Sequence, residues 1–293
     1  MTESEFCRLC QLHGFGDVAP VLHASALPCV GLSLSQITPR DFDGSKLGGD
    51  PALPISFEWP RYKGLPLDFL LQINLSEVAR HDSSGLLPSE GLLTFFYELE
   101  EQPWGYDPKN LSFFNVCYFR EVDELTIAHR PEHRLKSPPL HEHGIDFWPG
   151  ISVPTYGSRA WGRLAKQIKK PGVEFDLAAF EKLSQAIFRA SAPTPEGPQH
   201  KLGGHSNNVQ NDMQLEAQLV TNGLYCGDPS GYRHPRRPEL EKTCEDWKLL
   251  LQLDSDETAK LMWGDLGMLY FWVRRQDLEI RDFSKAWMTL QCG

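Results

Sequence analysis

Three short blocks occur twice, in the same order, along this chain of 293 residues. Lys46-Leu47-Gly48-Gly49 recurs as Lys201-Leu202-Gly203-Gly204, and Leu70-Leu71-Gln72-Ile73 as Leu250-Leu251-Gln252-Leu253. Gly91-Leu92-Leu93-Thr94-Phe95-Phe96 recurs as Gly267-Met268-Leu269-Tyr270-Phe271-Trp272. A repeat constrains the fold more than any composition does, because each unit buries its apolar face against its copy. Lys46 and Gln72 are 26 residues apart and Lys201 and Gln252 are 51 apart, so insertions sit in loops between matching elements. The expectation is an internally duplicated chain of two related sheet-forming units with pseudo-twofold symmetry.

The blocks read as strands. Phe69 to Leu75 and Leu249 to Leu253 are short apolar runs bounded by turn-forming residues, and Gly91 to Leu99 and Gly267 to Val273 begin after turn-like stretches. Phe113 to Phe119, within Asn110 to Glu121, adds another strand. The clearest helix runs from Glu174 to Ala190, where Leu177, Phe180, Leu183 and Ile187 recur every three or four residues, and it is expected to bridge the halves. Pro193, Pro195 and Pro198 mark an irregular linker after it. A second helix is expected near Glu3 to Leu12, and Ser284 to Gln291 as a closing strand or short helix. The fold class is therefore α+β, mostly antiparallel with a few helices. The expected divisions are a helical N-terminal extension (1–32), a first unit (33–150), a bridging helix and linker (151–199) and a second unit (200–293), packed as one domain.

Apolar residues make up 41% of the chain, enough for a real core, and no run approaches the roughly 20 apolar residues of a membrane-spanning helix. The formal charge of −10 argues against nucleic acid as a partner. The acidic N-terminus lacks a secretory pattern and seven cysteines fit reduced thiols, so the expected compartment is cytoplasmic. Positions 1–150 hold 11 Lys/Arg against 21 Asp/Glu, whereas the remainder holds 18 of each. The acids are dense between Glu90 and Glu124, where only Lys109 and Arg120 oppose them. That stretch is either a surface for a basic partner or a solvated acidic face.

Catalytic motifs are sparse. Cys7 and Cys10 have half-site zinc spacing near His13 and His23, but no second pair follows, and on a helix both cysteines can face a core. His129, His133, His141 and His143 are interrupted by Pro131, Pro138 and Pro139, which favours loop histidines over a helical metal motif. There is no nucleophile elbow, phosphate-binding loop or kinase set, and Gly14-Phe15-Gly16 follows no strand. The paired Lys-Leu-Gly-Gly blocks are either anion pockets or shared turns, with Gln72 and Gln252 as buried amides satisfying turn backbone. No catalytic residue, metal or cofactor is assigned.

Several blocks together resemble a known family. They are Ser45 to Pro54, Trp59-Pro60, Pro66-Leu67, Phe69 to Leu75, Gly91 to Phe96, Lys201 to Gly204 with Gln210-Asn211-Asp212-Met213, Leu249 to Asp254, and Met262-Trp263-Gly264-Asp265 leading into Tyr270-Phe271-Trp272. From about Ser45 to the C-terminus the chain resembles the YwqG-like family, bacterial domains of unknown function; 1–32 and the histidine-rich segment carry none of the resemblance. The resemblance implies a compact, internally duplicated α+β fold and supplies no catalytic residues. It also implies an immunity role, because members stand beside secreted toxins of interbacterial competition.

Two functions follow as expectations. The first is an immunity-type binding protein that occludes the active site of a cognate toxin, a basic protein such as a nuclease, through Glu98, Glu100, Glu101, Asp107, Glu121, Asp123 and Glu124. The second is a small-ligand binding protein or enzyme with a cleft between the units, lined by Lys46, Gln72, Lys201, Gln252, Trp263 and Asp265.

Overall fold

The structure, a computed structural model, describes residues 1–35, 41–109, 111–131, 139–169 and 175–293. Asn110, His133 and Glu174, which belong to the strand, histidine and helix expectations above, lie outside the described residues. The strands in chain order are β1 (Leu27–Ser35), β2 (Lys46–Leu47), β3 (Ala52–Pro54), β4 (Arg61–Tyr62), β5 (Leu65–Pro66), β6 (Asp68–Asn74) and β7 (Leu92–Tyr97). There follow β8 (Phe114–Phe119), β9 (Leu125–Ile127), β10 (His143–Ser152), β11 (Lys201–Leu202), β12 (Trp247–Asp254), β13 (Met268–Arg274) and β14 (Trp287–Gln291).

Ten of these strands form one sheet in the order β14-β13-β12-β11-β1-β10-β2-β6-β7-β8, with every pairing antiparallel. β3 with β9 and β4 with β5 make two small ribbons. At the centre β1 and β10 pair over nine positions, from Leu27 opposite Ser152 to Ser35 opposite Gly144. A wing extends from each. In one, Lys46 faces Gln72 and Leu47 faces Leu71; in the other, Lys201 faces Gln252 and Leu202 faces Leu251. Both wings break register at the same place, between Phe69 and Leu71 on β6 and between Leu249 and Leu251 on β12.

The wings curl until their inner faces meet. Phe95 of β7 touches Phe271 of β13 at 5.0 Å between ring centroids, and Phe114 of β8 touches Trp287 of β14 at 5.8 Å. Residues from both wings therefore share one core, which includes Leu71, Phe95, Leu251, Phe271 and Met288. The segment before β8 lines the seam: Leu290 N donates to Trp104 O at 3.1 Å and Trp287 Nε1 to Gly105 O at 3.0 Å. Gly105 has φ +85° and a Cβ there would sit 2.0 Å from Met288 O, so this approach requires glycine.

Helices cover the outer faces. α1 (Glu3–Leu12) starts at a capping box between Thr2 and Glu5, and α2 (Ala19–Ser25) packs on it. α3 (Leu75–Ala79) is a single turn after β6. α4 (Arg159–Ile168) and α5 (Leu177–Arg189) join α1 and α2 in a second apolar cluster built on Phe6, Cys10, Leu22, Trp161, Phe180 and Leu183. Cys10 is thus a buried core residue with Cys7 packed beside the same cluster. α6 (Met213–Val220) covers the outer face of the β12–β14 wing, where Trp247, Tyr270, Trp272 and Trp287 are buried.

The chain divides differently from the expected segments. The 1–32 extension is helical only through α2; from Leu27 the chain is β1, which holds the two wings together, so a boundary at 32 cuts the central strand. The 151–199 segment begins inside β10, and α5 packs on β10 and α1. His143 belongs to β10, opposite Leu47. The last segment resolves into a turn of 3-10 helix at Phe283–Lys285 followed by β14. Among the described residues no helix is long and apolar enough to cross a membrane.

Candidate functional site

The repeated blocks form two matching staples. Gln72 is fully buried; its Oε1 accepts from Ala52 N at 2.8 Å and its Nε2 donates to Gly44 O at 2.8 Å. Gln252 repeats this: Oε1 accepts from Asn207 N at 2.8 Å and Nε2 donates to Gln199 O at 2.8 Å. Each amide thus ties the residue two before its facing lysine to the residue six after it. The neighbouring bond is matched as well. Ser45 Oγ accepts from Asn74 N at 2.8 Å, and His200 Nδ1 accepts from Asp254 N at 3.0 Å. Gly48 and Gly49 have φ of +68° and +73°, Gly203 and Gly204 +68° and +72°.

These residues do not line the expected cleft. β2 and β11 are separated by β1 and β10, three strand spacings or about 15 Å. Lys46 pairs with Glu142 at 3.1 Å, whereas Lys201 is buried, donates to Asn207 Oδ1 and lies over the Phe188 ring at 5.4 Å. Burial pulls the Lys201 ammonium down to about 8. Trp263 is buried and donates to Asp254 O at 3.1 Å, and Asp265 is exposed in the turn before β13. The blocks form strands and turns, as their sequence predicts, but the sheet order keeps their polar side chains apart.

The acidic candidates are divided too. Glu98 is only 8% exposed, and its Oε1 accepts from Glu100 N at 3.0 Å and Glu101 N at 3.3 Å, so it caps the turn after β7 instead of facing a partner. Glu101 pairs with Lys63 at 2.6 Å, and Asp107 accepts from Lys109 N at 2.9 Å. Glu100 is exposed at that same end. Glu90 and Glu121 flank Arg120 at 3.6 and 3.7 Å at the opposite end of β7, with exposed Asp123 and Glu124 following. The six residues of β7 place roughly 20 Å between the two groups. One continuous acidic face is not formed.

A cavity of about 290 Å³ opens instead on the sheet face turned away from the main core. Its apolar walls come from Leu27 and Pro28 of β1, Trp247 and Leu249 of β12, Trp272 of β13, and Leu86 from the loop before β7. The pairing of Leu249 with Trp272 fixes the two side chains side by side. Trp247 Nε1 donates to Gln218 Oε1 at 2.9 Å, but the buried Nε1 of Trp272 has no partner. An unpaired buried donor costs on the order of 1–3 kcal/mol.

The polar rim is built from three elements. His205 directly follows the second Lys-Leu-Gly-Gly block; its backbone N donates to Ser152 Oγ at 2.8 Å and its Nε2 to Ser25 O at 2.9 Å. A Cβ on Gly204 would lie 2.4 Å from Ser152 Oγ, so glycine lets this loop reach β10. Burial pushes the His205 pKa down to about 4, helped by the nearby Lys201, Arg163 and Lys248 charges. The ring is therefore neutral with its proton on Nε2, and Nδ1 is left as an acceptor. The N-terminus of α4 forms the second side: Ser158 caps it by accepting from Trp161 N, and Thr155 Oγ1 donates to Ser206 O at 2.6 Å, tying α4 to the His205 loop. At the mouth Arg163 Nη1 pairs with Glu245 Oε1, and Lys248 Nζ donates to Glu245 O at 3.0 Å. The hydroxyls of Ser158 and Ser206 are committed to Thr155 O and Asn208 Oδ1.

None of these rim residues stands out in sequence, although two signals were available. His205 adjoins a repeated block, and Trp272 ends another. Comparison with known proteins adds the family. No curated protein matches the chain. Residues 45–292 match the family model described as a domain of unknown function, DUF1963, which covers the staples, both wings beyond β1 and most of the cavity wall, and the chain therefore belongs to that family.

Proposed function

We propose that this chain is a binding protein whose ligand is a small molecule held in the cavity beside Trp272. The observation that carries the reading is the cavity itself, open between the start of α4, the His205 loop and β12, where Leu27, Pro28 and Leu86 stand beside the polar His205, Gln214, Arg163 and Lys248. The volume lies at the small end of ligand sites, which are mostly apolar with a few placed polar groups. Committed serine hydroxyls favour binding over nucleophilic chemistry there. The test follows the indole N–H resonance of Trp272 while small fragments are added. Fragments that shift it in the wild type and not in Ala160→Trp, which fills the cavity mouth, support the reading; a resonance that no fragment moves ends it.

A second reading, immunity-type neutralisation of a basic toxin, is favoured by one observation. Glu90, Glu121, Asp123 and Glu124 are exposed at one end of the edge strand β8 with Arg120 between them. Such a cluster would speed association with a basic partner and make it salt-dependent. The test is recovery of a partner from the native host followed by growth rescue on co-expression. Rescue that is lost in Asp123→Lys/Glu124→Lys supports this reading, and rescue unaffected by the reversal removes its electrostatic basis. The matched staples support descent of the two wings from one duplicated unit.

A further inference from the structure

We propose that a second cavity, at the seam where the edge strands β8 and β14 come together, binds an amino acid that carries a second carboxylate. It is a site apart from the cavity beside Trp272 and does not depend on that reading. Of the residues lining the two, only Trp247 is common.

About 440 Å³ opens between the start of β8, with Leu111, Phe114 and Asn115, and the end of β13 and the segment after it, with Arg274, Asp277 and Lys285. All six are exposed or half-buried, so a ligand can touch them. The volume lies within the range of small-molecule sites.

Three charged side chains meet there without satisfying one another. Arg274 is the N-cap of the helical turn Arg275–Glu279 and Asp277 its third residue, positions that face each other at a helix start. Asp282 N donates to Asp277 O at 2.8 Å, which turns the chain back toward the 3-10 turn that ends in Lys285. Among the described residues none of the three is in an ion pair. Burial raises the Asp277 carboxyl pKa more than the Arg274 and Lys285 charges lower it. Arg274 is held in place over the Trp247 ring at 4.8 Å and by Thr221 Oγ1, which accepts from Nη2 at 3.2 Å, and its Nη1 has no partner among the described residues. At the other cavity Arg163 is already engaged by Glu245.

Two cations and one carboxylate around one space are complementary to a ligand with two carboxylates and one ammonium. Arg274 and Lys285 each take a carboxylate, and Asp277 takes the ammonium. Asn115 adds a donor, because its Oδ1 accepts from Cys117 Sγ at 2.7 Å and its Nδ2 is left over. Leu111 and Phe114 cover the carbon chain. A plain dicarboxylate would set Asp277 beside further negative charge, and a zwitterion without a second acid group would leave one cation unanswered.

The experiment titrates L-glutamate, L-glutamine and glutarate into the full-length protein by calorimetry, with amide shifts in NMR locating the site. L-Glutamate is expected to bind about tenfold more tightly than L-glutamine, which lacks the second charge, and than glutarate, which lacks the ammonium, and to shift the side-chain amide of Asn115. Lys285→Gln should bring glutamate and glutamine within about twofold, and Asp277→Asn should do the same for glutamate and glutarate. Both variants should keep the wild-type midpoint in denaturant. If Asp277→Asn lowers it, Lys285→Gln, whose side chain is exposed, decides the matter. Equal affinities for the three probes, a glutamate preference that survives Lys285→Gln, or no binding of glutamate at millimolar concentration overturns the proposal and leaves the reading of the other cavity untouched.

Discussion

His205 and Glu216 are ionisable groups that burial shifts in opposite directions. His205 falls to about 4 from 6.5, and Glu216, which accepts from Tyr232 OH at 2.7 Å, rises to about 6 from 4.5. As pH falls, the unfolded chain protonates its histidine first, so the stability tied to neutral His205 is whole above about 6.5 and lost toward 4. For Glu216 the folded protein holds its proton longer, so its contribution is whole below about 4.5 and lost as pH rises to about 6. His205→Gln should therefore remove on the order of 2 kcal/mol of acid sensitivity between pH 6.5 and 4.5, read from denaturant unfolding at each pH. Glu216→Gln should stabilise the protein by about 1–2 kcal/mol at pH 7 and not at pH 4.5. A gain that persists at pH 4.5 would assign the effect to packing. Neither shift was legible in sequence, since His205 sits in a polar stretch and Glu216 in an ordinary helical one; their burial comes from the surfaces laid over them.

At the scale of elements, the glutamine staples are the part of the structure the sequence announces best. A glutamine inside an apolar strand needs backbone partners, and the repeat of Lys-Leu-Gly-Gly supplied the place to look for them. Gln72→Leu strands a backbone N–H and two carbonyls, Gly44 O and Phe42 O, and Gln252→Leu a backbone N–H and one carbonyl, and each should cost about 2–4 kcal/mol, read as a lower denaturant midpoint. The larger loss is expected at Gln72, whose Nε2 makes the additional bond to Phe42 O at 3.0 Å. A loss confined to one wing would mean that the other tolerates water at its staple. The lysines facing them are less alike, with Lys46 paired to Glu142 and Lys201 buried on Asn207 and Phe188, and that divergence came from what each wing has packed over it.

At the scale of the whole molecule, β1 decides whether there is one sheet. The family match begins at residue 45, yet β1 lies between β10 and β11 and is the link between the wings. A fragment of residues 45–293 should therefore lose the single cooperative transition expected of the full chain, seen by calorimetry and by dispersed amide resonances. A fragment that unfolds cooperatively at the same midpoint would show that the wings hold together without β1. What the sequence determined by itself was local: apolar runs that become strands, glycines at positive φ, and the α5 stripe of Phe180, Leu183 and Ile187. Periodicity and turn chemistry act between near neighbours, so these features can be read from the order of residues alone. The tertiary structure decided the rest. Arg163 meets Glu245 and Trp104 meets Leu290 only because the sheet order brings distant segments together, while the same order parts the two lysines and splits the acids along β7. A binding site depends on which surfaces face each other across the sheet, and no local pattern carries that information.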